Sequence, residues 1–593
     1  MRELSHQDRT DSVDEKLRQL RAAHAAGDLS IAMSLAVSLR EALRFEAQQR
    51  PASSVDISAA HQYAVGDLPA TWAQWADGWG YCKPVHLFET VGIERTGETV
   101  DICVAFQAGL VTDIAREIRM AWRDPATFTL REIPSQVYDV RREGGQVTCR
   151  LVFQADVPAH DQAEYLVFYG NANAELPEYE TDLRTHGEGF GLDIENRHFV
   201  ARLHRQMGQL ERLTYKRQHG LELYAGGKGH GEPPCIDWAH DYVDEGNLQK
   251  LRMRNWADCP NFAVVRGPLC VRVRRWGFPH SPVHPIFTPS RVHMDQEYVF
   301  HAAAPYMMKL GKITAVKDVA IEAMRDDEWV FSGYSFTDLL WIDRQGRLHE
   351  GSVPGEHVND LWGVGFYHRV SRDSFVALWL RHEATGVGDP AHSGPPTLHY
   401  AGHGQLWSRY PASQAQLPAG ATITQENAYL MMPFADEGAA EQIERVRHQL
   451  SNPLEVQPTD SWMTPDAKMP GVLARPGETA EAGSRKAAIW NVLREVRDEQ
   501  FYAVDANIVD MGYVYDVRER NGVVTVVITM PHRGRPVYEF LVDAGGGRVD
   551  EGIRERVARL PGVRDVVVVF TWEPPWSVAR LTDAGRQMMG LVV

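Results

Sequence analysis

Cysteine is scarce in this chain and stops early. Of 593 residues only six are cysteine, at 82, 103, 149, 235, 259 and 270, with no C-x-x-C pair and none after Cys270. That spacing excludes a disulfide frame and a zinc ribbon, and it fits reduced, mostly buried thiols in cytoplasm. Long apolar runs are missing as well. The longest are short, such as Val566–Phe570, so no membrane span is expected. The amino terminus, MRELSHQDRT, lacks the apolar stretch of a secretory signal. Positive charge is in deficit: the formal net charge of −17 argues against nucleic-acid binding, which needs a cationic face. There is no G-x-S-x-G elbow, H-E-x-x-H helix or dinucleotide fingerprint, which disfavours serine esterases, zincins and enzymes with a nucleotide cofactor. AGGKGHGEPP at 225–234 has glycine but neither the spacing nor the Ser/Thr of a phosphate loop, so it reads as a loop.

What remains is the composition of a soluble globular protein, 44% apolar and 24% charged, and too long for one core. Residues 1–60 read as a helical hairpin: Leu17, Leu20 and Ala23 keep helical spacing, Gly27–Asp28 breaks it, and Ile31, Leu35, Leu39 and Leu43 resume it. From about 75 to 435 the text turns to short strands such as TVDICVAF, QVTCRLVFQADV, EYLVFYG, HFVARLHR, EYVFHAA and FVALWLR. They are rich in β-branched and aromatic residues, and no helix-length segment separates them. Antiparallel sandwiches are expected, in a module at 75–182 and a larger one at 183–435. Residues 436–485, rich in Pro, Gly, Ser and Ala towards their end, read as a linker into a small α/β domain at 486–593.

Chemistry points first to the histidines, which concentrate between His280 and His403. In RVHMDQEYVFH (291–301), strand alternation puts His293, Asp295, Glu297, Val299 and His301 on one face. Met294, Gln296, Tyr298 and Phe300 take the other. Imidazole with carboxylate suits a divalent transition metal (Zn, Mn, Fe or Ni), or a metal-free acid–base pair acting on a sugar-like substrate. It also fits the plain solvated side of a sandwich. His293 and Glu297 lie about 13 Å apart at ~3.3 Å per residue, so a shared ion requires histidines from an adjacent strand. His357 and His368 are the expected partners, giving metal ligands His293, Glu297, His357 and His368, with Glu297 or Asp343 as general base. His399 and His403 have helical ligand spacing, but Gly402, Gly404 and Pro395–Pro396 argue against a helix. Trp329, Trp341, Trp362, Trp379 and Trp407 suit a core or a stacking cleft.

Two regions resemble known families. The terminal segment reads VLREVRDEQF, NIVDMGYVYDV, VVTVVITMPHRGRP, LPGVRDVVVVFTWEPPW and ARLTDAGRQMMGL. It resembles the PaaD-like, or metal–sulfur cluster biosynthetic, domain over 486–593. Asp510 and Gly512 fall in the family's I-V-D-x-G turn, Pro574–Pro575–Trp576 in its D-P-P-W block, and Gly590 in its closing L-G region. Glu573 and Met589 depart from that pattern. So does Arg535, in Arg533–Gly534–Arg535–Pro536, which stands where the resemblance places a reactive cysteine. A guanidinium is a permanent cation with donors only and cannot replace a thiolate. AEYLVFYGNANAELPEYETDL resembles the strand end of lectin-like sandwich modules. IENRHFVARLHRQMGQLERLTYK, with Gly208 at its turn, resembles the opening of galactose-mutarotase-like supersandwich domains.

The expectation is therefore a multidomain, mainly β protein: a helical hairpin, a sandwich and supersandwich body, and a small α/β domain. Its activity would be that of a metal-dependent hydrolase or lyase on a small polar or carbohydrate-like compound. The alternatives are a metallocentre or iron–sulfur maturation scaffold serving a partner enzyme, and a metal-free carbohydrate-binding or carbohydrate-processing protein. The helices or the terminal domain would mediate self-association or hold a partner subunit.

Overall fold

The computed structural model describes residues 17–28, 31–32, 35–36, 55–58, 60–72, 75–124, 127, 129–205, 207–217, 220–225, 235–237, 241–244, 251–252, 261–278, 291–333, 335–359, 361–387, 395–400, 404–409, 411–434, 438–458, 484–497, 506–520, 522–529, 552–570, 576 and 580–589. The architecture is mainly β, with several antiparallel sheets and few helices. No described helix is long and apolar enough to cross a membrane.

The amino-terminal module is two facing sheets. One orders Val55–Asp56, Arg95–Gln107, Gln146–Val157 and Ser135–Glu143. The other orders Tyr63–Ala64, Tyr81–Phe88, Gln162–Tyr169, Ile118–Arg123 and Leu130–Ile133. Alternation in each strand sends Val85, Leu87, Ile102, Val104, Leu151, Phe153, Tyr165 and Val167 into the core between them. Glu455–Pro458 also joins this module, pairing with Tyr81–Phe88 so that Leu87 faces Val456.

The second module is built on a nine-stranded antiparallel sheet. Its order is Asn261–Val265, Cys270–Gly277, Val292–His301, Tyr306–Ala315, Thr422–Leu430, Ser374–Thr385, Gly363–Tyr367, Asp338–Ile342 and Leu348–Glu350. One face is roofed by a five-stranded sheet from Arg184–Glu188 to Glu222–Tyr224 and by the strands Asp327–Phe331, Gly404–Arg409 and Thr397–Tyr400. Between them lies a core of Leu192, Phe199, Leu213, Phe300, Trp329, Phe331, Phe375 and Tyr429 among others. The opposite face packs on the first module, where Tyr138 and Val152 meet Val299, Met308 and Leu430. The large sheet is thus the middle layer of a stack and is covered on both sides.

Two sequence expectations need correction. The span 436–485 is not linker throughout: Ala439–Ser451 is a helix that lays Ala439, Ile443, Val446 and Leu450 along one face against the large sheet, and Glu455–Pro458 is a strand. Residues 459–483 lie outside the described residues. The amino-terminal helical hairpin is not shown: residues 17–25, 31–32 and 35–36 are helical, while Val55–Asp56, inside the span 1–60, pairs in parallel with Ile102–Cys103.

In the terminal domain, Val514–Arg520 pairs antiparallel with Val523–Ile528, which in turn pairs parallel with Asp565–Phe570. Helix Arg485–Leu493 starts at Ser484, whose hydroxyl accepts the Ala487 N–H at 3.2 Å. Ile489, Leu493, Ile508, Val526 and Val557 fill the core. Gly512 has φ +67°, and a Cβ there would run into the Arg580 backbone, so this turn requires glycine.

Candidate functional site

The strand Val292–His301 divides its side chains as the alternation implies, but its polar face is neither solvated nor gathered around an ion. It lies against the first module as an ion-pair seam. Arg272, on the neighbouring strand, donates to both oxygens of Glu297, at 2.8 and 2.7 Å. It also reaches Asp101 of the first module at 3.1 Å, where Arg150 (2.9 Å) and the Tyr138 hydroxyl (2.5 Å) converge. Arg274 binds Asp295 at 2.9 Å. Burial alone would push the Glu297 carboxyl up, but the charge and hydrogen bonds of Arg272 hold it below the usual range. With both oxygens engaged by a guanidinium, Glu297 serves as an anchor for Arg272.

His357 and His368 do not come to this face. Three strands, Tyr306–Ala315, Thr422–Leu430 and Ser374–Thr385, separate Val292–His301 from Gly363–Tyr367. Four strand steps amount to about 19 Å at ~4.8 Å each, so the expected cross-strand pairing is ruled out. His357 sits in the turn Gly355–His357 with its ring 5.0 Å from Trp341, and His368 Nδ1 accepts the Ser371 N–H at 3.0 Å. Among the described residues no group of three or more His, Cys, Asp or Glu is placed to hold a metal ion. The donor set His293, Glu297, His357 and His368 therefore does not fit a single metal. Asp343 closes a turn: it accepts the Arg347 N–H at 2.9 Å and lies 2.8 Å from His349 Nε2, whose ring stacks on Trp341 at 4.2 Å. Burial raises its carboxyl, and the contact with His349 together with the backbone N–H groups of the turn more than reverses this. His399 lies on the strand Thr397–Tyr400, and His403 is outside the described residues.

The seam has a consequence for acid stability. His293, 1% exposed and edge-on to Phe278, is driven by burial down to about 4, and His301 likewise. In the unfolded chain a histidine titrates near 6.5. Between these values the unfolded state binds more protons, so each histidine contributes stability that is full above about pH 6.5 and is lost as pH falls towards 4. At ~1.4 kcal/mol per pH unit the loss is about 3 kcal/mol for His293. Urea unfolding of His293→Phe at pH 7 and pH 4.5 is expected to show a shallower fall in stability than the wild type. An unchanged pH slope refutes this.

The other face of the large sheet carries charge that the strand patterns concealed. Tyr298, Lys309 and Asn427 stand side by side across three neighbouring strands, and Trp379 continues the row. The Lys309 ammonium is completely buried and bridges Asp237 at 3.0 Å and Asp327 at 2.9 Å, both contributed by the roof. Tyr298 donates to Asp237 and Tyr429 to Asp327. Gln296 Nε2 donates to Asp237 at 3.1 Å, and Asn427 Nδ2 donates to Asp327 at 2.9 Å. Next to Asp327, the Asp326 carboxylate pairs with Arg409 at 3.1 Å. Burial alone would lower Lys309, but the two carboxylates outweigh it and hold the ammonium charged. Burial pushes Asp327 up to about 6 against the pull of Lys309. Burial also raises Asp326 in spite of Arg409. Trp329, Trp379 and Trp407 surround the cluster, and their buried indole N–H groups have no hydrogen-bond partner among the described residues. The sequence signals were a lysine in line with Met307 and Ile313, and an acidic doublet opening the apolar strand text EWVF.

In the terminal domain the described motif residues are tied into its turns. The Asp510 carboxylate accepts from Thr582 at 2.8 Å and from Asn507 at 2.6 Å, and the Trp576 indole donates to the Met511 carbonyl at 2.8 Å. Arg533–Pro536 with Arg535, Pro574–Pro575 and Gly590 lie outside the described residues. The domain touches the first module through Tyr515, edge-on to His160, and through Arg518, over the Phe88 ring.

No family model matches the chain. A segment of 107 residues, 18% of the chain, is 27% identical to 94% of the Fe-S protein maturation auxiliary factor YitW of Bacillus subtilis (strain 168). A Fe-S protein maturation auxiliary factor of Porphyromonas gingivalis (strain ATCC BAA-308 / W83) is 27% identical over 105 residues, 18% of the chain and 90% of that protein. Among solved structures, an alpha-mannosidase from Enterococcus faecalis V583 is distantly similar, with a TM-score of 0.40 and 11% identity. That likeness covers 73% of this chain, which spans half the length of the mannosidase. Galactose 1-epimerase from Lactobacillus acidophilus NCFM gives a TM-score of 0.26 and 7% identity over 43% of this chain and 99% of its own.

Proposed function

We propose that the chain is an enzyme using metal-free acid–base chemistry on a small polyhydroxylated, carbohydrate-like compound, with the Asp237–Lys309–Asp327 centre as its active site. The observation that carries this reading is the placement of an ammonium, two carboxylates and two phenols wholly inside the fold, beside three indoles whose N–H groups have no partner among the described residues. Taking such charges out of water costs several kcal/mol each, and a well-packed apolar cluster would serve stability as well or better. Perturbed carboxyls of this kind concentrate at functional sites. A carboxyl near 6 exchanges protons readily at neutral pH, so Asp327 is the proton donor and acceptor. Lys309 pairs with Asp237 and offers positive charge to an oxygen that becomes negative during reaction. The indole faces suit the C–H surface of a sugar ring, and their N–H groups suit its oxygens. The test is to incubate the protein with a panel of aldoses and oligosaccharides and follow anomer exchange and bond cleavage by NMR. Asp327→Asn is expected to lose roughly 10²- to 10⁴-fold in kcat. A wild type that binds and converts none of them, or an Asp327→Asn variant of undiminished rate, overturns the reading.

A second reading rests on a different observation, the 27% identity that spans nearly the whole of a Fe-S protein maturation auxiliary factor. Here the chain serves metallocentre assembly in a partner enzyme, with the cluster as cargo and without a thiolate at Arg535. Adding the purified protein to an apo iron–sulfur enzyme and a cluster source is expected to speed activation. An unchanged rate removes this reading.

A further inference from the structure

Asp327 is not held by Lys309 and Tyr429 alone. Its Oδ2 accepts from Asn427 Nδ2 at 2.9 Å, and the same amide nitrogen lies 2.8 Å from Gln425 Oε1. An asparagine amide can be turned end for end with little change of shape. Turned the other way, its oxygen would face the Asp327 carboxylate, which is tolerable only if that carboxyl carries a proton. What fixes Asn427 therefore bears on the charge of Asp327.

The group on the far side of the amide is His382. Its Nε2 lies 2.8 Å from Asn427 Oδ1 and 3.0 Å from Arg409 Nη1. The guanidinium only donates and the amide oxygen only accepts, so one imidazole nitrogen cannot satisfy both. With hydrogen on Nε2, the imidazole donates to Asn427 and opposes Arg409. With a lone pair there, it accepts from Arg409 and opposes the amide oxygen. Arg409 has another partner in Asp326, at 3.1 Å. His382 Nδ1 is buried with no hydrogen-bond partner among the described residues, and the ring is edge-on to Trp379. The ring thus sits between two hydrogen-bonding states, and the charged groups facing it from neighbouring elements are Arg409 and, behind it, Asp326.

We propose that His382 is a positioning residue for the centre, whose Nε2–H pins the Asn427 oxygen, aims the amide N–H groups at Asp327 and so favours the ionised carboxylate. The groups that act on Asp327 itself are Lys309 from the large sheet, Asp237 from the roof, and Tyr429 and Asn427 from one strand. Of the groups in contact with Asp327, His382 touches only Asn427, and its other neighbour, Arg409, bears on Asp327 by charge alone. This inference rests on the acid–base reading of the centre.

The test is to follow the carboxyl titration of Asp327 by carbon-13 NMR in the full chain, assigned by its disappearance in Asp327→Asn. It is to be repeated in His382→Phe, which keeps a ring but offers no donor, and in His382→Gln, which can supply an N–H. The expected result is an upward shift of the Asp327 midpoint by about one pH unit in His382→Phe, a tenfold change in its proton affinity, with return towards the wild type in His382→Gln. The pH–rate profile on a sugar converted in that panel is expected to move in parallel. An unshifted midpoint in His382→Phe, or an equal shift in both variants, overturns the positioning role while leaving the acid–base reading intact. A wild-type rate profile that persists in Asp327→Asn overturns the acid–base reading instead.

Discussion

Replacing Lys309 with Met is expected to destabilise the protein by about 3–5 kcal/mol, because it leaves Asp237 and Asp327 facing one another in the interior without their shared cation. The size of the effect comes from the carboxylates left behind, more than from the lost contacts of the lysine. The comparison that separates these is the triple variant Lys309→Met, Asp237→Asn, Asp327→Asn, which removes the charges together. It is expected to recover most of the lost stability, since a neutral cluster of similar volume pays no ionic desolvation. Urea unfolding of both variants at pH 7 measures the difference. If the single variant unfolds at the wild-type midpoint, Lys309 is not the counter-ion described.

The second large effect is expected at Arg95. Its guanidinium is 2% exposed and donates to Glu89 at 3.0 Å and Glu98 at 2.6 Å. It also donates to the carbonyls of Gln449 and Asn452, at 3.2 and 2.7 Å, at the end of the helix Ala439–Ser451. Cations are favoured at that end of a helix, where the last carbonyls lack partners. Arg95→Met strips a fully buried carboxylate of its partner and leaves the helix end unsatisfied, for a loss of about 3–5 kcal/mol. Glu89 keeps the N–H groups of Val91, Gly92 and His160, which limits the damage to that order. Limited proteolysis is expected to cut near 452–458 in the variant and not in the wild type. Equal resistance refutes the clamp.

Most strands were legible because β-branched alternation is a local signal. The two-faced character of 291–301 could be read from eleven residues. What those residues cannot reveal is which layer covers each face. The polar side looked like a metal or solvent face because the layer that closes over it, Asp101, Tyr138 and Arg150 beyond the neighbouring Arg272, comes from strands more than a hundred residues earlier. Lys309 escaped notice for a related reason. A lone lysine among Met307, Gly311 and Ile313 resembles an edge residue until Asp237 and Asp327 are brought over it from another sheet. The helix Ala439–Ser451 was hidden by composition, since AAEQIERVRHQLS offers only a narrow apolar stripe. Asp343 was correctly found as a strand-end carboxylate, but its partner is His349, which sequence spacing gave no reason to choose.

The strand Glu455–Pro458 also constrains the order in which the chain can be built. It completes the edge of a sheet whose other members lie before residue 170, and the helix that precedes it is clamped by Arg95. During synthesis, the Val85–Phe88 half of that edge lacks this partner until some 370 further residues have been made. An open strand edge is a template for wrong pairing, and contacts so distant in sequence form late. The first module to be translated is therefore among the last to be finished, and shortening the chain before residue 455 would expose that edge in an otherwise assembled sandwich.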